Sequence, residues 1–167
     1  MAATAGKGGV FRVDLRGIDD VRRNIQAVNA AFPDWLAEAN SDTAEEIAAF
    51  ARRNIKDIDA YATGKMYGGI EVRHSPGGLV FAVGCTMEYA PYVEFGTRPH
   101  FPPLEAIREW CRVKGIPESA AYPICLAIAR RGTPERPFLY PAFLAGLKNH
   151  ANRVRSKLTR GFRRLLA

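Results

Sequence analysis

Pro33 to Ile58 reads PDWLAEANSDTAEEIAAFARRNIKDI, and this stretch decides the fold class. Leu36, Ala39, Thr43, Ile47, Phe50, Asn54 and Ile58 recur at intervals of three and four, with Glu38, Glu45, Arg52 and Lys56 elsewhere. That is the period of an amphipathic helix. Asn40-Ser41-Asp42 favours caps over helix interiors, and Asp42 with Glu45 has capping-box spacing, so this is where the helix would break. Upstream, Ile18, Val21, Ile25, Val28 and Phe32 repeat at intervals of 3, 4, 3 and 4, with Asp19 and Asp20 in the favoured first turn. They predict a shorter amphipathic helix, with Pro33 closing it or opening the next. Before Gly17 the period becomes two: Phe11, Val13 and Leu15 alternate with Arg12 and Asp14, a half-buried strand over Val10 to Leu15. Residues 1–9 are expected to be a flexible N-terminus.

Downstream of the long helical region, Gly69 to His74 and Leu79 to Thr86 alternate around Ser75-Pro76-Gly77-Gly78, a hairpin. Tyr89 to Phe95 makes a short helical turn stopped by Gly96, and Pro99, Pro102 and Pro103 stiffen the loop after it. Residues 101–135 read as a helical insertion. One helix starts with Pro103 placed at its first position and stops at Gly115; a second runs from Pro123 to Arg131 and stops at Gly132. The last helix, over 138–166, puts Phe143, Leu147, Ala151, Val154, Leu158, Phe162 and Leu165 on one stripe. The expected fold is a single α+β domain over 1–167. A small antiparallel sheet, made of the N-terminal strand plus the hairpin, packs against long amphipathic helices, with a helical insertion and a long C-terminal helix.

The chain has 167 residues, 47% hydrophobic and 25% charged, enough to bury a core without disulfides or metals. Cys85, Cys111 and Cys125 are odd in number, form no CxxC pair and lie in apolar patterns, so reduced, core or half-buried thiols are expected. The start has no apolar signal core, and no apolar run reaches a membrane span, so a soluble protein without a cleavable signal is expected. Net charge is +7, unevenly placed: residues 136–167 hold eight Lys or Arg and no acid.

Sites for chemistry are weak. Gly6-Lys7-Gly8-Gly9 lacks the spacing and the following helix of a phosphate loop. His74, His100 and His150 are scattered and read as surface or rim residues, with no metal-ligand spacing. No local signature pairs a cysteine nucleophile with a base, although His100 meeting Cys111 in space stays open. Glu45-Glu46 and Asp57, Asp59 read as solvated carboxylates. No catalytic, cofactor-binding or metal residue is assigned, and no cofactor is expected.

Two segments stand out. Tyr89-Ala-Pro-Tyr-Val-Glu-Phe-Gly-Thr-Arg-Pro99 sets three aromatics around one acid, and Arg136-Pro-Phe-Leu-Tyr-Pro-Ala142 opens the basic helix between two prolines. In this order, after a strand, a long helical region and a hairpin, they resemble the neck or tail-completion proteins of long-tailed bacteriophages and prophages, often called minor tail components. The resemblance runs from about residue 10 to the end. The 101–135 insertion departs from the compact members.

The resemblance implies a non-enzymatic virion protein at the head–tail junction, assembled in the host cytoplasm. It would connect the DNA-filled head to the tail as a ring of six or alternatively twelve copies and line the DNA channel. Its partners would be itself, a head-closure or adaptor protein, a tail terminator or tail tube protein, and genomic DNA; no membrane is implied. Tyr89, Tyr92, Glu94, Phe95, Thr97, Arg98, Arg136 and Phe138 are the expected subunit or neighbour-ring contacts, with Glu94 or Arg98 making an intersubunit charge contact. Lys148, Arg153, Arg155, Lys157, Arg160, Arg163 and Arg164 are the expected contacts to DNA or an acidic partner. The alternative is a stand-alone basic nucleic-acid-binding protein.

Overall fold

The computed structural model describes residues 3–5, 11–13, 17–58 and 64–165. Its first long element, α1 (Ile18–Asp57), is one helix of 40 residues where the sequence predicts two. Pro33 lies inside it and does not end it. A proline removes one donor to the carbonyl four residues back, and Asn29 there is exposed, so water can take the bond. The Asn40-Ser41-Asp42 break is also absent, because the side chains that would cap locally are engaged elsewhere. Asn40 Nδ2 donates to the carbonyls of Gly78 and Leu79 in the hairpin turn at 3.0 and 2.9 Å. Asp42 pairs with Lys157 at 3.0 Å.

The partner of α1 is α6 (Leu139–Leu165), which runs antiparallel along it. Contacts mark the register: Asn54 Nδ2 donates to the Phe138 carbonyl at 2.9 Å, Ile47 meets Gly146, Thr43 Oγ1 lies 3.0 Å from His150 Nδ1, and Trp35 covers Gly161 and Phe162. Gly146 and Gly161 are where the helices come closest. A Cβ on Gly146 would collide with the buried Ile47 side chain, and one on Gly161 with the Trp35 ring. His150, expected at the surface, is half-buried in this seam because Thr43 offers it a polar neighbour. Glu46, expected to be solvated, is drawn in by Arg153 at 2.7 Å, an approach off the hydrogen-bonding axis and therefore chiefly electrostatic.

After α2 (Lys65–Gly68), strands β3 (Ile70–His74) and β4 (Phe81–Cys85) form the predicted hairpin, with Ile70 opposite Cys85, Val72 opposite Val83 and His74 opposite Phe81. Alternation sends Ile70, Val72, Phe81, Val83 and Cys85 toward α1, where they pack around Ile47, Ala48, Ala51 and Ile55 together with Met66, Ala90, Phe138 and Ala142. Arg52 donates to the Ile70 carbonyl at 2.8 Å and ties β3 to α1. The N-terminal strand does not extend this sheet. β2 (Phe11–Val13) pairs instead with β1 (Ala3–Ala5), inside the segment expected to be flexible, as a separate two-stranded sheet. Closing a short local loop costs less entropy than reaching across the domain. Leu15 and Asp59 lie outside the described residues.

α3 (Ala90–Phe95) follows the hairpin, and the insertion then folds as α4 (Leu104–Lys114), a 3-10 turn (Glu118–Ala120) and α5 (Ala121–Arg131). Pro103 caps α4 from the position before its first turn. Cys111, Cys125 and Ala121 are buried at the centre of this small helical pair. Its two ends are clasped by equivalent Gly-Thr pairs. Thr97 N–H donates to the Thr133 carbonyl at 3.1 Å, Thr133 N–H returns to the Thr97 carbonyl at 3.3 Å, and the two hydroxyls lie 3.0 Å apart. Gly96 and Gly132 both have positive φ, and a Cβ on either would strike the opposing backbone. The insertion thus leaves and rejoins the chain at one point.

The α1–α6 seam predicts its own weak spot. Gly146→Ala should lower unfolding free energy by about 1–3 kcal/mol, since Ile47 is fully buried and has nowhere to move; urea unfolding followed by circular dichroism measures it.

Candidate functional site

The two distinctive segments meet. Pro137 and Pro141 carry no backbone N–H, and the three N–H groups between them all go to one carboxylate, that of Glu94. Phe138 and Leu139 donate to Glu94 Oε2 at 2.8 and 2.9 Å, and Tyr140 donates to Oε1 at 2.8 Å. The start of a helix presents unpaired donors and partial positive charge, so a carboxylate there is stabilised by both. The Arg136 N–H adds a 2.8 Å bond to the Val93 carbonyl. The acid of one motif and the proline-bounded donors of the other are two halves of one clasp, which holds α3 against the first turn of α6.

Of the two candidates for an intersubunit charge contact, Glu94 is buried with its oxygens bonded within the chain, whereas Arg98 is exposed. Phe138 is likewise a core residue, 1% exposed, because the clasp turns it inward onto α1. Thr97 is used in the bridge to Thr133. The side chains of Tyr89, Tyr92, Phe95, Arg98 and Arg136 remain exposed, with Phe95 the most exposed large apolar residue among the described residues at 76%. Exposed Tyr140 joins them at the same end of the molecule, a residue that sequence reasoning missed. Partial burial, and secondarily Cys85, raises the Tyr89 hydroxyl above the ordinary phenol value.

Along α6, Ala142, Gly146, His150, Arg153, Lys157 and Gly161 face α1, at intervals of 4, 4, 3, 4 and 4. This is the expected apolar stripe shifted by one residue, a rotation of about 100°. The apolar stripe is therefore not the centre of the contact: Phe143, Leu147, Phe162 and Leu165 are exposed, Phe162 meeting α1 only at its edge through Trp35, and Val154 and Leu158 are half-buried. Small residues won over large ones because only they allow the close approach to Ile47 and Trp35.

The rotation also divides the seven basic residues. Arg153 pairs with Glu46, and Lys157 bridges Glu38 and Asp42, each at 3.0 Å, so these two hold the seam. Hydrogen bonds to Asp42, then Glu38, raise the Lys157 ammonium above the usual lysine value. Its stabilising contribution is therefore complete at neutral pH and is lost only as pH rises through that elevated value. Lys148, Arg155, Arg160, Arg163 and Arg164 stay exposed with no ion pair among the described residues. Arg155, Arg160 and Arg163 line a shallow polar groove with Asn152, Ser156 and Thr159, three residues that helical spacing alone could have added. α6 thus has three sides: one packed on α1, one apolar and uncovered, one basic. Among the described residues, no three His, Cys, Asp or Glu side chains are grouped to hold a metal ion, and no helix is long and apolar enough to cross a membrane.

The clasp yields a contrast between neighbours in one motif. Glu94→Ala leaves three donors without an acceptor and should cost about 3 kcal/mol of stability, whereas exposed Arg98→Ala should stay within about 0.5 kcal/mol; thermal and urea unfolding of both variants checks this.

No curated protein and no solved structure matches the chain. A family model does, over residues 19–96, described as "Bacteriophage HK97-gp10, putative tail-component". The matched span contains most of α1, the hairpin and α3 with Glu94, and stops before the insertion and α6. The resemblance drawn from the Tyr89–Gly96 block therefore holds, and over residues 19–96 the chain matches the HK97-gp10-like family of phage tail components.

Proposed function

We propose that this protein is a non-enzymatic structural subunit of the phage head–tail junction, where copies close into a ring of six or twelve around the DNA path. The observation that carries the reading is the three-sided α6: once one side is packed on α1, a helix of 27 residues still presents an apolar side and a basic side. A closed ring requires two different complementary surfaces on each subunit. The apolar side of α6, and exposed Tyr92 and Phe95 on α3, which the Glu94 clasp holds to the start of α6, have the aromatic composition of an interface centre. The basic side suits phosphates lining a channel. The family match supports a phage structural role, and with it a place in the virion. Within this reading the neighbours are a head-closure or adaptor ring above and a tail terminator or tail tube ring below.

A stand-alone nucleic-acid-binding protein is the second reading, favoured by the same unpaired arginines. Light scattering separates the two: a ring-sized mass, alone or on assembled tails or DNA-filled heads, supports the junction reading, while a monomer that ignores both particles and binds free DNA supports the other.

The double variant Tyr92→Ala/Phe95→Ala should remain folded, since both side chains are largely exposed, yet lose the ring-sized species in the same measurement. Where DNA is bound, replacing Arg155, Arg160 and Arg163 by Gln should flatten the dependence of log affinity on log salt by roughly 0.9 for each phosphate no longer neutralised, read by fluorescence anisotropy on duplexes of unrelated sequence.

A further inference from the structure

Most of the first part of α1 is exposed, with only Val28 and Ala31 half-buried. The last marked contact between α1 and α6 is Trp35 against Gly161 and Phe162, and α6 ends at Leu165, so on the antiparallel register about Ile18 to Ala30 projects past the end of α6. At about 1.5 Å per residue the projection is about 20 Å long. Ile18, Val21, Ile25 and Phe32 fall on one face and are 52%, 58%, 55% and 42% exposed. An isolated helix of this length is marginal in water. This one also carries Asn24, Asn29 and the β-branched Val21, Ile25 and Val28, all weak helix formers. Its helical state and its bare apolar face both call for a cover.

We infer that this projecting helix seats on the uncovered apolar side of α6 of a second copy. Three observations select that occupant. The α6 side, with exposed Phe143 and Leu147 and half-buried Val154 and Leu158 at intervals of 4, 7 and 4, spans about 22 Å, close to the length of the projection. The chain cannot fill its own site, because the projection is the continuation of α1 beyond its seam with α6 and leads past the end of α6 rather than back along it. Charge agrees as well: residues 18–34 hold three acids, Asp19, Asp20 and Asp34, against two arginines, while the seat borders the unpaired Lys148 and Arg155. The contact is heterologous. Each copy gives its projection to one neighbour and receives that of another, so the arrangement propagates until it closes.

The inference deepens the ring reading but is tested apart from it. Ile25→Asp spoils the projection and Leu147→Asp spoils the seat; both positions are exposed, so each variant should keep wild-type helicity and thermal unfolding. In sedimentation velocity on the full chain, wild type should form species heavier than one chain as concentration rises, and each variant alone should stay monomeric. Their equimolar mixture should form a dimer and stop there, since one good projection and one good seat remain. Wild type that is monomeric throughout, variants that associate as wild type does, or a mixture with no dimer overturns the inference. Wild-type rings with Ile25→Asp rings beside them would leave the ring reading standing and remove only this contact. Association that depends on Ile25 and Leu147 but never closes would do the reverse.

Discussion

The close approach of α1 and α6 at Gly146 and Gly161 governs the rest of the molecule. Two helices brought together through glycine and alanine have little freedom to rotate, because any other side would place a larger side chain against Ile47 or Trp35. The rotation chosen draws Arg153 and Lys157 into the seam, where Glu46, Glu38 and Asp42 neutralise them. It leaves the largest apolar residues of α6 to one side. A globular chain in water rarely leaves such a stripe bare on a long helix without a use for it.

The Glu94 clasp sets where α6 begins. Two prolines delete the flanking donors, and one carboxylate takes the three that remain, so the backbone enters the helix with its polar groups satisfied next to a buried core. The clasp joins the part of the chain that matches the tail-component family to the part that does not. Between its halves, the Thr97–Thr133 bridge returns the chain to the same place after the insertion. The helical insertion can therefore sit in this interval without moving α3 relative to α6.

These constraints leave apolar surface on α3, on α6 and on the projecting start of α1, and basic surface on the remaining side of α6. Such surfaces are what the proposed subunit would use to touch neighbours and a polyanion at the same time.

Much of the fold was legible in order: the hairpin, the short turn ending at Gly96, the two insertion helices and the terminal helix all follow from period and from Gly and Pro punctuation. The continuity of α1 was not, because Pro33 and Asn40-Ser41-Asp42 are local stop signals whose effect was overridden, the latter by partners about forty and more than a hundred residues away. The candidate site was legible only as two motifs. That Glu94 belongs to the donors of Phe138 to Tyr140 depends on atoms 44 to 46 positions apart, and no spacing rule reports it. The sequence alone determined which residues are apolar, which are basic and the period on which they recur. Which side of α6 faces inward was decided by tertiary structure, because hydrophobicity favours the large stripe while the steric limit at Ile47 and Trp35 admits only the small one.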